Sequence, residues 1–430
     1  MTHPQPGKRD FTLLWASQAF SEFAYSTSLI VLPLLVLTIT GSPSQAGLVG
    51  FADAVAILAA GLPAGAIADR YDRRTVMLWC EAVLVVLFGV MAVMLWAGVA
   101  SLAALLTLAL VNGAATAVML ATGEAMIPTL VAREKVSDAV AMNSARTYAG
   151  QLAGTSAGGF LQAAKNAFPF LAGSAAHLLG FILLLFIKRQ PAAPRPQAKG
   201  WSANELLDGI TWIRKQPFLR LGLGFATATN FFYGTVYFIV IASAKTSGMS
   251  SGLIGVMAAL LGVGGLLGAL AAPKLQRVLT GSRPIFVVLW LFAVLTVAIA
   301  LLPGSYTPGI LLGITAFTAP TANAYFTTYQ LLLTPDTHRG RVMSVANICS
   351  AGGGAIAPLA GGVVYDLCGR LVSLLSCGAV LGVVALCAVL SPVLRNPPEP
   401  DGAPDDRGQS DDDERSDDNE QPDPVGNAAA

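Results

Sequence analysis

Charge is scarce in this chain: Asp, Glu, Lys and Arg make up 12% of its 430 residues, about half the share usual in soluble domains. That leaves too little polar surface for an ordinary water-soluble fold. Histidine is rarer still, with three widely separated residues and no H-E-x-x-H pair, so a histidine metal centre is not expected. The five cysteines form no C-x-x-C pair and read as small packing residues rather than ligands or disulfides. No G-x4-G-K-[ST] loop occurs, so a P-loop for ATP is not expected. The run Gly262, Gly264, Gly265, Gly268 does not complete a dinucleotide fingerprint. No cofactor, metal, nucleic-acid partner or enzyme activity is expected. The polar start "MTHPQPGKRD" is followed by an apolar run without a small-residue cleavage site, so no removable signal peptide is expected.

What the chain has in abundance is long apolar runs. Twelve stretches reach the length needed to cross about 30 Å of hydrocarbon at about 1.5 Å per residue. Six lie near 11–39, 45–67, 75–97, 101–122, 138–163 and 168–188, and six near 217–243, 250–272, 284–302, 306–331, 342–365 and 370–392. The expected fold is therefore an all-α membrane protein of two six-helix bundles, residues 1–188 and 217–394. Between them, 189–216 is a Pro-rich basic linker with a short interfacial helix presenting Trp201, Leu206, Leu207, Ile210 and Ile213. From Arg395 to the end stand 12 acids and 3 bases against 23 bases and 13 acids before it. This tail, 395–430, lacks the apolar content to fold. Placing both termini in the cytoplasm leaves only Lys165, Lys245 and Arg370 of the 26 bases in outer loops, as the positive-inside bias requires.

An offset of 203 residues superimposes the halves. Gly61 and Gly65 fall on Gly264 and Gly268, Arg74 on Arg277, Gly150 on Gly353, and Gly158 and Gly159 on Gly361 and Gly362. Such pairs at four-residue spacing suit close helix contact in lipid. A duplicated six-helix plan is the architecture of transporters built from parallel repeats.

With those features the chain resembles the major facilitator superfamily over residues 11–392. "GAIADRYDRRTVM" is similar to that family's loop signature G-x-L-A-D-R-x-G-R-[KR]: Gly65, Ala68, Asp69, Arg70, Arg73 and Arg74 match, with Ile67 for Leu and Asp72 for the second Gly. The resemblance implies a gating latch between the bundles, and one of Arg70, Arg73 and Arg74 is expected to pair with Glu81 or Glu124 at a neighbouring helix end. "DR-aromatic-D-R-R" is similar to the branch of macrolide-efflux and siderophore exporters. Gly150, Gly154, Gly158 and Gly159 resemble the fifth-span antiporter motif, but Thr155 stands where proline is expected, and the equivalent place in the second half is Pro358.

Ionisable groups at mid-membrane depth are functional candidates by default. Glu22 lies about 17 Å into the first span, Asp53 about 12 Å into the second, His177 about 14 Å into the sixth and Arg146 about 12 Å into the fifth. Glu22 shares a polar helical stripe with Gln18, Ser21, Tyr25 and Ser26. It reads as a proton carrier or as a structural carboxylate paired with Arg146. Asp53 reads as coupling or packing, and His177 as coupling or a hydrogen-bonded packing residue. Gln18, Tyr25, Asn112, Asn230, Tyr233, Asn323, Tyr325 and Tyr329 are the expected substrate contacts, with Tyr237 and Thr328 beside them. Tyrosines at such places also serve packing alone.

The expectation is a monomeric, multi-pass transporter of a bacterial inner membrane. It would export a small amphiphilic compound, such as a drug, macrolide-like metabolite or siderophore, in exchange for protons. The alternatives are a proton-coupled importer of the same fold and a non-transporting sensor or assembly partner.

Overall fold

The computed structural model describes residues 8–132, 135–188, 203–279 and 282–395, so the tail and most of the linker, Trp201 included, lie outside it. The chain runs through α1 (Lys8–Thr40), α2 (Pro43–Arg70), α3 (Arg73–Trp96), α4 (Leu102–Leu130), α5 (Val136–Ala164) and α6 (Phe168–Leu185). It continues through α7 (Ala203–Lys215), α8 (Pro217–Thr246), α9 (Ser251–Val278), α10 (Arg283–Leu301), α11 (Thr307–Leu332), α12 (Asp336–Leu390) and the short α13 (Pro392–Arg395).

Local chemistry starts these helices. Ser42, Asp72, Ser101 and Ser250 each accept a backbone N–H with the side-chain oxygen at the head of α2, α3, α4 and α9, satisfying a donor that the helix itself cannot. Asp72, the departure from the loop signature, thus has a local use: its carboxylate takes the Thr75 N–H at 3.0 Å and the Thr75 hydroxyl at 2.5 Å.

Nine described helices are long and apolar enough to cross a membrane. They differ from the twelve expected runs for physical reasons. α5 and α11 are long enough but dilute their apolar content with Arg146, Gln151, Thr155 and Ser156, and with Thr315, Thr318, Thr321 and Asn323. α12 carries the last two runs as one 55-residue element, broken at Gly369. There φ is 69° and ψ 177°, a conformation open to glycine and strained for other residues. Bulky apolar side chains cover the outer faces, with Trp79 70% and Leu270 71% exposed, as lipid contact demands.

The halves meet along two seams. Where α5 crosses α9, a Cβ on Gly159 would stand 2.5 Å from the Ser251 carbonyl and 2.7 Å from Gly255 Cα. Where α2 crosses α12, Gly47 and Gly50 lie against Pro358, and Gly362 lies on the Pro43 carbonyl. Beside this seam Asp366 caps the head of α2 from the other half, taking the Ser44 N–H at 2.9 Å and the hydroxyls of Ser42 and Ser44. Toward the far end of α2, Gly61 and Gly65 have no heavy atom near an added Cβ. The close contact expected of this pair is therefore absent here.

The short α7 divides its apolar face. Ile213 is buried beside Phe218 and Val342, and Trp212 stacks on His338 at 4.9 Å, while Leu207 and Ile210 stay exposed.

Candidate functional site

Among the described residues, two cavities between the helices have an acid on their walls. The first, about 260 Å³, is bounded by Gln18, Glu22, Tyr25, Arg146, Thr147 and His177. α1 supplies the first three at helical spacing, and α5 approaches closely enough that a Cβ on Gly150 would meet Glu22 Cγ at 2.5 Å. One turn on, Thr27 donates to the Gly154 carbonyl at 3.0 Å. Small residues on α5 thus bring Arg146 to the acid. The expected Glu22–Arg146 contact pair is not formed: Arg146 Nε donates to Asn143 Oδ1 at 3.0 Å, and Ser26 donates to Glu22 Oε1 at 3.3 Å. The two charges face a shared space instead.

Behind this cavity lies Glu81, which is not at a helix end beside the loop arginines as expected but fully buried. It accepts from the Ser21 hydroxyl at 2.5 Å and pairs with His177 Nδ1 at 2.7 Å. His177 turns an edge toward Phe88, with ring centroids 5.2 Å apart, and its buried Nε2 has no partner. The same depth count that flagged Glu22 would have found Glu81, which lies eight residues into α3.

The second cavity, about 280 Å³, lies on the seam between the halves and is lined by Tyr25, Asp53, Gln151, Tyr233, Tyr237 and Pro358 among others. Asp53 is 5% exposed and accepts from Asn112 Nδ2 at 3.0 Å, which also reaches Ser28 Oγ at 3.3 Å. Asn112 is fully buried behind Asp53. It holds the carboxylate rather than lining the space, which corrects its placement among substrate contacts. Tyr25 borders both cavities.

Other expected contacts lie elsewhere. Tyr325 and Tyr329 pack with each other at 4.7 Å, and Tyr329 with Phe218 at 4.9 Å, in the apolar cluster that also holds Ile213 and Val342. Asn230 is exposed and donates to the Ala226 carbonyl of its own helix at 2.9 Å, and Asn323 is exposed on α11.

At the loop between α2 and α3, Arg73 meets Asp69 at 3.4 Å and the carbonyls of Ala68 and Ala125. Arg74 donates to the carbonyls of Leu184 and Leu185 at 2.9 and 2.7 Å, neutralising the unsatisfied end of α6. Arg70 lies over Tyr71 at 5.8 Å. These arginines grip helix ends of the first half rather than Glu81 or Glu124.

Helices built to face lipid, a duplicated arrangement, and cavities that bring an acid to their walls, one within the first half and one on the seam, define a multi-pass membrane protein that handles small molecules. The chain belongs to the transmembrane secretion effector family of major facilitator superfamily transporters, whose profile matches residues 6–412. It is 26% identical over 398 residues to the MFS-type transporter YfiS of Bacillus subtilis, covering 88% of this chain and 92% of that one. The multidrug efflux pump Tap of Mycolicibacterium fortuitum is 24% identical over 380 residues, covering 86% and 92%. Among solved structures, the nucleoside transporter NupG matches in fold with a TM-score of 0.70 at 14% identity, covering 89% of this chain and 98% of that one.

Proposed function

We propose that the chain is a proton-coupled exporter of small amphiphilic compounds in the cell membrane of a bacterium. It would cross the membrane twelve times as bundles 1–188 and 217–394, with both termini cytoplasmic. The observation that carries this reading is the first cavity: Glu22 and Arg146 share one space without closing into a pair. An acid so placed can take a proton and exchange its partner as the bundles rock. Asp53 is the second coupling acid, and the Glu81–His177 pair with Ser21 steadies the wall of the first cavity. The loop of Gly65, Asp69, Arg70, Arg73 and Arg74 is the inner latch, and the Gly150, Gly154, Gly158, Gly159 face is the sliding surface. The similarity to the Tap efflux pump supports export, and within it a drug, macrolide-like or siderophore cargo. The protein acts as a monomer.

The test compares cells lacking and overproducing the protein across a panel of antibiotics and dyes. Export predicts lower accumulation of at least one compound on overproduction, restored by an uncoupler and lost in Glu22→Gln. Higher accumulation would establish uptake, and no flux of any compound would point to a sensor or assembly role.

A further inference from the structure

The seam cavity has a chemical bias of its own. Among the described residues, Asp53 is the one carboxylate on its wall, and none of the lining residues is Lys, Arg or His. Arg146 borders the neighbouring cavity and not this one. Asp53 accepts from the neutral amide of Asn112, which fixes the carboxylate without cancelling its charge. A buried carboxylate in that position is costly until a countercharge arrives. The remaining wall is aromatic and aliphatic: Tyr25, Tyr233, Tyr237 and Phe238 with Leu32 and Leu261. Aromatic faces around a desolvated carboxylate are the surroundings in which an organic cation is held by both ion pairing and ring quadrupoles.

We propose that this cavity binds a monovalent organic cation with an apolar body, its charge against Asp53 and its body among Tyr25, Tyr233 and Tyr237. The inference rests on the export reading for what becomes of the ligand, and on the cavity alone for what the ligand is. It narrows the cargo class to amines and quaternary ammonium compounds. Anions are excluded by Asp53, and neutral compounds forgo the ion pair. The volume of about 280 Å³ favours a body of one or two rings.

The test is equilibrium binding to the purified full-length chain in lipid nanodiscs at pH 8, without a gradient. The probes are phenyltrimethylammonium and N,N-dimethylaniline, which is neutral at that pH. The wild type is expected to bind the cation at least tenfold more tightly than the neutral probe. Asp53→Asn, which keeps a group for Asn112, removes that preference, and Asp53→Glu restores most of it. Tyr233→Leu weakens the cation several-fold and leaves the neutral probe nearly unchanged. Equal binding of both probes by the wild type, or full retention of cation preference in Asp53→Asn, overturns the proposal. Should Asp53→Asn fail to fold, the wild-type preference and Tyr233→Leu decide alone. Cation binding without uncoupler-sensitive efflux in cells would refute export and leave this inference standing; efflux of neutral compounds with no charge preference in nanodiscs would do the reverse.

Discussion

Helix pairs α2–α4 and α9–α11 occupy equivalent places in the two halves, yet they are held together by different chemistry. α9 meets α11 through bare backbone: Gly264 lies on the Gly313 carbonyl and Gly268 on that of Phe317. α2 meets α4 through a buried polar contact, Asp53 with Asn112, where Gly113 lies on the Asp53 carbonyl. The 203-residue offset puts Val256 and Thr315 where Asp53 and Asn112 stand, and Cys349 where Arg146 stands. Thr315 donates to its own helix at the Leu311 carbonyl, 3.1 Å away. The duplicated plan therefore keeps its shape in both halves and its charge in one. Among the described residues the buried acidic and basic side chains Asp53, Glu81, Arg146 and His177 all lie in the first half, and the second supplies a closely packed counterpart with Tyr233 and Tyr237 at the seam.

The strongest way to break this contrast is to add side chains to the paired glycines. Gly264→Leu forces α9 from α11 and should cost about 3 kcal/mol, read as a fall of several degrees in the melting temperature of the purified protein. Gly61→Leu enters open space and should leave the melting temperature within a degree. If the bundles rock together at that end, the same variant slows transport severalfold, so a stable but slow Gly61→Leu separates motion from packing. Asn112→Leu leaves the Asp53 carboxylate without its amide and should cost about 2 kcal/mol, whereas Thr315→Val should cost less than about 1 kcal/mol; chemical denaturation in detergent compares the two. At the loop, Asp72→Ala removes the cap of α3 and should cost about 1 kcal/mol. Asp69→Asn should leave stability nearly unchanged and reduce transport. Full transport by Asp69→Asn would remove the latch from that loop.

The helical membrane fold was legible because apolar run length and the repeated glycines answer to one constraint, the bilayer. The particular use of each glycine was not. Gly61 and Gly264 each stand four residues before a second glycine, Gly65 and Gly268, and only the open space around Gly61 against the Gly313 backbone beside Gly264 distinguishes them. Thr155 stands where the antiporter pattern has proline, and its hydroxyl donates to the Gln151 carbonyl of its own helix at 2.7 Å. Its counterpart Pro358 is in contact with Gly47 and Gly50, so the proline belongs to the seam on the other side. Glu22 and Asp53 were visible as costly charges, and both line cavities. Glu81 reads from the sequence as a helix-end partner of the loop arginines, although its depth in α3 already marks it as buried. Asn112 could be placed behind Asp53 rather than before the ligand only once α2 and α4 were packed.

Tyr25 stands between the Glu22 cavity and the Asp53 cavity and borders each. A shared wall makes their occupancies a matter of bookkeeping between two equilibria. Whatever factor ligand binding imposes on the proton affinity of Glu22, protonating Glu22 must impose on the ligand. Measuring either one fixes the other, and Tyr25→Ala should bring both factors toward one together.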